Sequence, residues 1–171
     1  YHGRIKDQFT PVVKEKPLEY GMEVPGNILC SDDASMVEDA IREWIRQGMD
    51  LVVCTGGMSV DPDDRTPLAI RNASDEVITY GAPVLPGAMF MLGYKKRAEG
   101  KDIPDIPVLG LPGCVMYAKR TIFDLVLPRI AAGERLCAED FYVLGEGGLC
   151  LNCPQCTFPN CGFGKGSGNA K

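Results

Sequence analysis

Apolar residues recur at Val37, Ala40, Ile41, Trp44 and Ile45, a spacing of threes and fours that lines one side of a helix. The pattern predicts a helix from Ser35 to Gln47, with Ser35 and Glu38 as a capping box and Gly48 as the stop. Leu51-Val52-Val53-Cys54 follows at once. It is short, continuous and rich in β-branched residues, as expected of a strand covered on both faces. Ile28-Leu29-Cys30 and Pro107-Val108-Leu109-Gly110-Leu111 are similar runs, and Glu76 to Tyr80 reads as a further strand. Further helices are predicted from Thr66 to Arg71, with Pro67 in its first turn, and from Val115 to Leu127, ending at Pro128. Gly3 to Tyr20 has helical character interrupted by Pro11 and Pro17.

Helices alternate with continuous apolar strands. The implied fold class is α/β, a three-layer arrangement of a mostly parallel sheet with helices on both faces. In open sheets of this kind ligands bind beyond the carboxyl ends of the strands, so chemistry is sought in the residues that follow each strand. Composition shifts after Gly133, and Gly, Cys, Pro and Asn dominate from Gly145 onward. The expected division is an α/β domain over residues 1–140 and an irregular Cys-rich tail over 141–171, ending in a flexible Gly-Lys-Gly-Ser-Gly-Asn-Ala-Lys.

Charge narrows the function classes. Eighteen Lys+Arg against 23 Asp+Glu give a net charge of -5, which disfavours a nucleic-acid coat but not a small phosphorylated ligand. No apolar run reaches the roughly 20 residues that span a bilayer, and no signal peptide is visible. A cytoplasmic protein with no nucleic-acid or membrane partner is expected. The chain opens on Tyr1 without Met, as a fragment would. His2 is its only histidine, which disfavours a Ser-His-Asp machine or a His-rich metal centre. Cys30, Cys54, Cys114 and Cys137 are scattered through apolar stretches and read as buried reduced thiols.

The richest turn follows Cys54: Thr55-Gly56-Gly57-Met58-Ser59-Val60-Asp61-Pro62-Asp63-Asp64-Arg65-Thr66-Pro67. Adjacent glycines permit a sharp bend that exposes N–H groups, and the Ser59 hydroxyl adds a donor for an anion. Carboxylates repel phosphate unless a cation intervenes, so Asp61, Asp63 and Asp64 suggest a phosphate held with Mg²⁺. The competing reading is a helix-capping acidic turn that binds nothing. Ser31-Asp32-Asp33, before the first clear helix, reads as capping. Gly110-Leu111-Pro112-Gly113-Cys114 makes a Pro-Gly turn into a helix, and Leu85-Pro86-Gly87-Ala88 makes an earlier one.

The order of these signals resembles the molybdopterin-binding domain of MoaB, MogA, the MoeA catalytic domain and gephyrin. The resemblance covers residues 3–133. The family turn Thr-Gly-Gly-x-Ser-x-Gly-x-x-Asp appears with Asp61 in place of the last glycine and Asp64 at the acidic position. The later Gly-Leu-Pro-Gly-Asn-Pro appears as Gly110-Leu111-Pro112-Gly113-Cys114-Val115. Asp7 would match the family's Asp-Ser/Asn stretch, with Gln8-Phe9 in place of the Ser/Asn. The family's first strand, with its Thr-Gly-x-Glu signature, would precede Tyr1.

The resemblance implies a domain that binds molybdopterin and either adenylylates it with MgATP or inserts molybdenum or tungsten. Thr55, Gly56, Gly57, Ser59, Pro112 and Gly113 would form the cofactor pocket. Asp61 and Asp64 would be catalytic, and Asp63 and Asp64 would hold Mg²⁺. Self-association as a trimer or dimer is also implied, with molybdoenzymes or other cofactor-biosynthesis proteins as partners. The competence-damage-inducible family shares the fold and handles nucleotides. Two other readings stand beside a transferase: a non-catalytic cofactor-binding, carrier or regulatory module, and a structural or oligomerisation domain.

In the tail, Cys150, Cys153, Cys156 and Cys161 are separated by two, two and four residues. The first part resembles the cysteine run of bacterial ferredoxins. Four thiolates can also close a tetrahedral Zn²⁺ site, although consecutive two-residue gaps strain one, which normally uses two separated knuckles. An iron–sulfur cluster, Zn²⁺, and metal-free thiols, persulfide or disulfides all remain open from the sequence. A thiolate cluster could also hand over molybdenum or tungsten.

Overall fold

The computed structural model describes residues 9–31, 33–97 and 104–166. His2, Asp7, Gln8, Asp32 and the end at 167–171 lie outside these residues. The element order is α1 (Phe9–Glu19), α2 (Ala34–Arg46), β1 (Val52–Thr55), α3 (Thr66–Ala73), β2 (Glu76–Tyr80), β3 (Met91–Lys95), β4 (Ile106–Leu111), a 3-10 turn (Gly113–Met116), α4 (Ile122–Ala131), α5 (Ala138–Tyr142) and a second 3-10 turn (Val143–Gly145).

The four strands form one sheet in the order β1-β4-β3-β2. The α/β class is as expected, with apolar cores on both faces of the sheet. Its pairing is mixed rather than mostly parallel: β1 and β4 run parallel, and β3 runs antiparallel to both β4 and β2. The physical reason is connection length. Ten residues separate β2 from β3, near the lower limit for a parallel crossover, and the chain turns back on itself there instead.

Successive residues of β4 serve the two cores. Val108 joins Ile41, Val52, Ala69, Ile70 and Met91 beneath α2 and α3. Leu109 and Leu111 join Phe90, Leu92, Phe123, Val126 and Leu127 beneath α4. All six β4 residues are buried, which accounts for an apolar run without alternation.

Several local expectations are corrected. Ile28-Leu29-Cys30 forms no strand; Leu29 is 75% exposed, and no neighbouring strand satisfies its backbone. The N-cap of α2 is Asp33, whose carboxylate accepts bonds from the Ser35 amide and hydroxyl. Glu38 turns instead to Arg42 and Asn72. The helix expected from Val115 begins only at Ile122, where the Thr121 hydroxyl caps it and Asp124 completes a capping box. It runs through Pro128, because the apolar face of Phe123, Val126, Leu127 and Ile130 continues past the proline. Cys137 is exposed, not buried.

Within residues 143–166, two points fasten the chain to the body. A parallel bridge joins Leu149 to Leu85, with N–H bonds in both directions through the Gly148 and Leu85 carbonyls. Phe163 sits in the α4-side core at 4% exposure.

The surface ion pairs set an acid limit. Arg42 holds the Glu38 carboxyl below its ordinary range, Lys95 does so for Asp75, and Arg129 for Glu134. A carboxyl with a depressed folded pKa contributes stability that is complete above its unfolded pKa and is lost as pH falls through the folded one. Unfolding midpoints in urea should therefore be level from pH 7 to about 5 and fall below about pH 4.5, near the ordinary carboxyl range. A midpoint that rises on acidification would contradict this ion-pair assignment.

Candidate ligand-binding site

β1 and β4 are parallel neighbours in the register Val53↔Leu109, Cys54↔Gly110, Thr55↔Leu111. Their carboxyl ends are therefore level. The bend that leaves Thr55 and the Pro-Gly turn that leaves Leu111 emerge side by side from one end of the sheet. The two motifs are far apart in the chain, and strand pairing unites them.

The bend is shaped from within. Gly56 and Gly57 have φ of 82° and 57°, the left-handed region that disfavours a side chain. A Cβ on Gly57 would stand 2.8 Å from the Thr66 hydroxyl oxygen. That hydroxyl donates to the Gly56 carbonyl at 2.8 Å and ties the bend to the start of α3. Met58 drops into the core at 3% exposure. A Cβ at Gly110 would come within 2.5 Å of its methyl group, so the glycine inside β4 makes room for the bend's anchor.

The remaining polar groups turn toward one another. The Ser59 amide and hydroxyl both donate to Asp64 Oδ2, at 2.5 and 2.7 Å. The Asp61 amide donates to the Ser59 hydroxyl, and the Asp63 amide to Asp61 Oδ1. Asp61 and Asp63 are exposed, and Asp64 is half-buried. Asp64 therefore locks the bend and leaves its other oxygen uncommitted. Among the described residues, no three His, Cys, Asp or Glu side chains are gathered as a ready-made metal site.

Pro112 is buried and Gly113 is exposed. Positions for a Cβ on Gly56 and on Gly113 meet nothing within 4 Å. Both glycines therefore have open space beside their α-carbons at the same end of the sheet. Beside the bend, an open cleft of about 490 Å³ lies between the starts of α2 and α3, lined by Ser31, Asp33, Ala34, Arg65 and Leu68. Arg65 is exposed, and among the described residues no carboxylate pairs with it. The sequence reading passed over Arg65 and took Asp33 only as a cap; an arginine directly after the acidic triplet was the signal available.

The neighbouring thiols are not activated. Burial pushes the Cys54 thiol up to about 12, with the nearby Cys30 adding to the rise. Burial also raises Cys114.

Residues 1–132 match the family model described as "Probable molybdopterin binding domain". The chain belongs to this family. Its molybdopterin-binding-type domain is similar to a CinA-like protein of Mycolicibacterium vanbaalenii, 36% identical over 125 residues, which is 72% of this chain and 30% of the relative. A CinA-like protein of Mycobacterium tuberculosis is 34% identical over 64 residues, 37% of this chain and 15% of that protein. The chain thus spans less than a third of the length of these curated relatives. Among solved structures, the molybdopterin biosynthesis enzyme MoaB from Thermus thermophilus aligns with a TM-score of 0.59 and 23% identity, covering 77% of this chain and 89% of that one. The tungsten cofactor synthesizing protein MoaB from Pyrococcus furiosus aligns with a TM-score of 0.57 and 22% identity, over 78% of this chain and 89% of that one. At such identities the likeness is one of fold. No helix among the described residues is long and apolar enough to cross a membrane.

In the tail, Cys150 and Cys161 are half-buried and Cys153 and Cys156 exposed, all as free thiols. The Phe158 amide, and then the Arg120 guanidinium, hold the Cys156 thiol below its ordinary range.

Proposed function

We propose that the domain binds molybdopterin through its phosphate at the level ends of β1 and β4 and takes part in molybdenum or tungsten cofactor maturation. The observation that carries this reading is the Thr55↔Leu111 register, which brings the Gly-Gly bend and the Pro-Gly turn together with open space beside the α-carbons of Gly56 and Gly113. Backbone N–H groups of the two turns would cradle the phosphate, and Arg65 would supply the positive charge that the acidic bend lacks. The cleft beside Arg65 would then take a nucleotide.

The reaction proposed is adenylylation. A phosphate oxygen of the pterin attacks the α-phosphorus of ATP, the α–β bridging P–O bond breaks, and pyrophosphate leaves. Phosphoryl chemistry of this type relies on positioning and charge neutralisation rather than on an activated nucleophile. Mg²⁺ would offset the charge of the leaving pyrophosphate. Asp64, with one oxygen outside its bonds to Ser59, would help hold it. A second reading, binding without catalysis, is favoured by one observation: both donors of Ser59 are already engaged by Asp64.

Anaerobic incubation of the chain with molybdopterin and MgATP, followed by chromatography and mass spectrometry, separates these readings. Adenylylated pterin and an equal amount of pyrophosphate are expected. Pterin binding by titration without any such product would leave the binding-only reading. Absence of both binding and product would remove the proposal.

A further inference from the structure

The four tail cysteines fold around one space. Cys150, Cys153, Cys156 and Cys161 all line a single cavity of about 90 Å³, together with Lys119, Arg120, Phe158 and Phe163. None of the other four cysteines of the chain lines it. Nothing in the spacing of the cysteines compels this convergence, because a flexible tail would scatter them.

The backbone that carries the thiols is held at both ends. Before Cys150, the Leu85↔Leu149 bridge fixes the entry. After Cys161, Phe163 is buried in the core, and the Gly164 amide donates to the Gly147 carbonyl at 2.7 Å, closing the segment into a loop.

The wall opposite the loop is cationic and comes from the body. Lys119 Nζ donates to the carbonyls of Cys153 and Pro154, each at 3.3 Å. Arg120 stands 4.8 Å over the Phe158 ring. A set of four thiolates would carry four negative charges into a largely apolar pocket. Such a set needs a cationic core and nearby positive groups, and both Lys119 and Arg120 are in place.

Size separates the two metal chemistries. A single Zn²⁺ with bonds of about 2.3 Å draws its sulfurs to about 3.8 Å from one another. Among the described residues no three of these side chains are gathered as a ready-made site for a metal ion, yet all four residues border one cavity. A cubane binds its four cysteines at its corners and fills such a void, with each sulfur bonded to a different iron. We infer that Cys150, Cys153, Cys156 and Cys161 ligate one four-iron, four-sulfide cluster, with Lys119 and Arg120 as its charge-compensating wall. The inference goes beyond the pterin reading and uses none of its residues.

The test is anaerobic reconstitution of the full chain with ferrous iron and sulfide. About four irons and four acid-labile sulfides per chain are expected, with a broad visible absorption that bleaches on chemical reduction. Cys153→Ser and Cys156→Ser change exposed side chains and should leave the circular dichroism intact. Each should lower bound iron at least tenfold, while Cys137→Ser leaves it unchanged. One zinc per chain without sulfide in protein purified from rich medium, retained against iron and lost in the same variants, would overturn the cluster. So would iron content unaffected by either serine, or tail thiols recovered as disulfides from anaerobic protein.

Discussion

Asp64→Asn is expected to lower MgATP-dependent adenylylation by about 100- to 1000-fold, the usual consequence of removing one well-placed electrostatic contributor, while leaving the thermal midpoint nearly unchanged. The stability expectation follows from shape. Asparagine keeps an oxygen that can accept from the Ser59 amide and hydroxyl, as Asp64 Oδ2 does. The bend is also anchored independently by Met58 in the core and by Thr66 on the Gly56 carbonyl. What asparagine lacks is the charge that would hold Mg²⁺. The sign of a second measurement follows: without Mg²⁺, the variant should bind pterin phosphate as well as the parent or better, because one like charge has gone. Asp64→Ala serves as the contrast, since it frees both Ser59 donors and loosens the bend. Rates and Mg²⁺-dependent binding are the quantities to measure. Full activity in Asp64→Asn with loss only in Asp64→Ala would reduce Asp64 to a lock on the turn.

The largest stability effect is expected at Asp124. Its side chain is 4% exposed and takes Lys16 Nζ at 2.6 Å and Arg120 at 2.9 Å. It also accepts the Thr121 amide at 2.8 Å as the third residue of α4. One carboxylate therefore caps α4, fastens α1 to it and holds the segment that carries Lys119 and Arg120. Asp124→Ala leaves the Lys16 ammonium, 15% exposed, without its counter-charge. Removing one partner of a buried pair costs about 3–5 kcal/mol, a large part of the roughly 5–15 kcal/mol that holds a domain folded. Urea unfolding should show a lower midpoint with an unchanged slope. Replacing both members, Lys16→Met with Asp124→Leu, should recover part of the loss, because no charge is then stranded. A loss under about 1 kcal/mol in the single variant would mean that water or a neighbour relieves Lys16.

Legibility in the sequence tracked how local each feature is. The helix α2 was plain because its buried stripe repeats within thirteen residues. Strands β1 and β4 were plain because burial on both faces removes polar positions. Strand β3 was not foreseen. Met91-Leu92-Gly93-Tyr94-Lys95 is too short to show a period, and its glycine reads as a breaker. The glycine belongs there because the Ser74 side chain occupies the space a Cβ would take. Ile28-Leu29-Cys30 misled for the opposite reason: three apolar residues look like a strand, yet only a partner makes one. Of the candidate site, the Gly-Gly bend, the acidic triplet and the Pro-Gly turn were legible as turn chemistry. Arg65, the engagement of Ser59 by Asp64 and the cationic wall at Lys119 and Arg120 were not, because each depends on what a distant segment brings alongside.

By itself the sequence determined the α/β class, the two glycine-bearing turns and the cysteine run, since backbone preference and burial period act over a few residues. Only the tertiary structure decided that β3 runs antiparallel, that Thr55 stands level with Leu111, and that four cysteines share one void with two cations. Those facts depend on pairing and packing between residues far apart in the chain, where many registers are open to the local pattern and the shared core selects one.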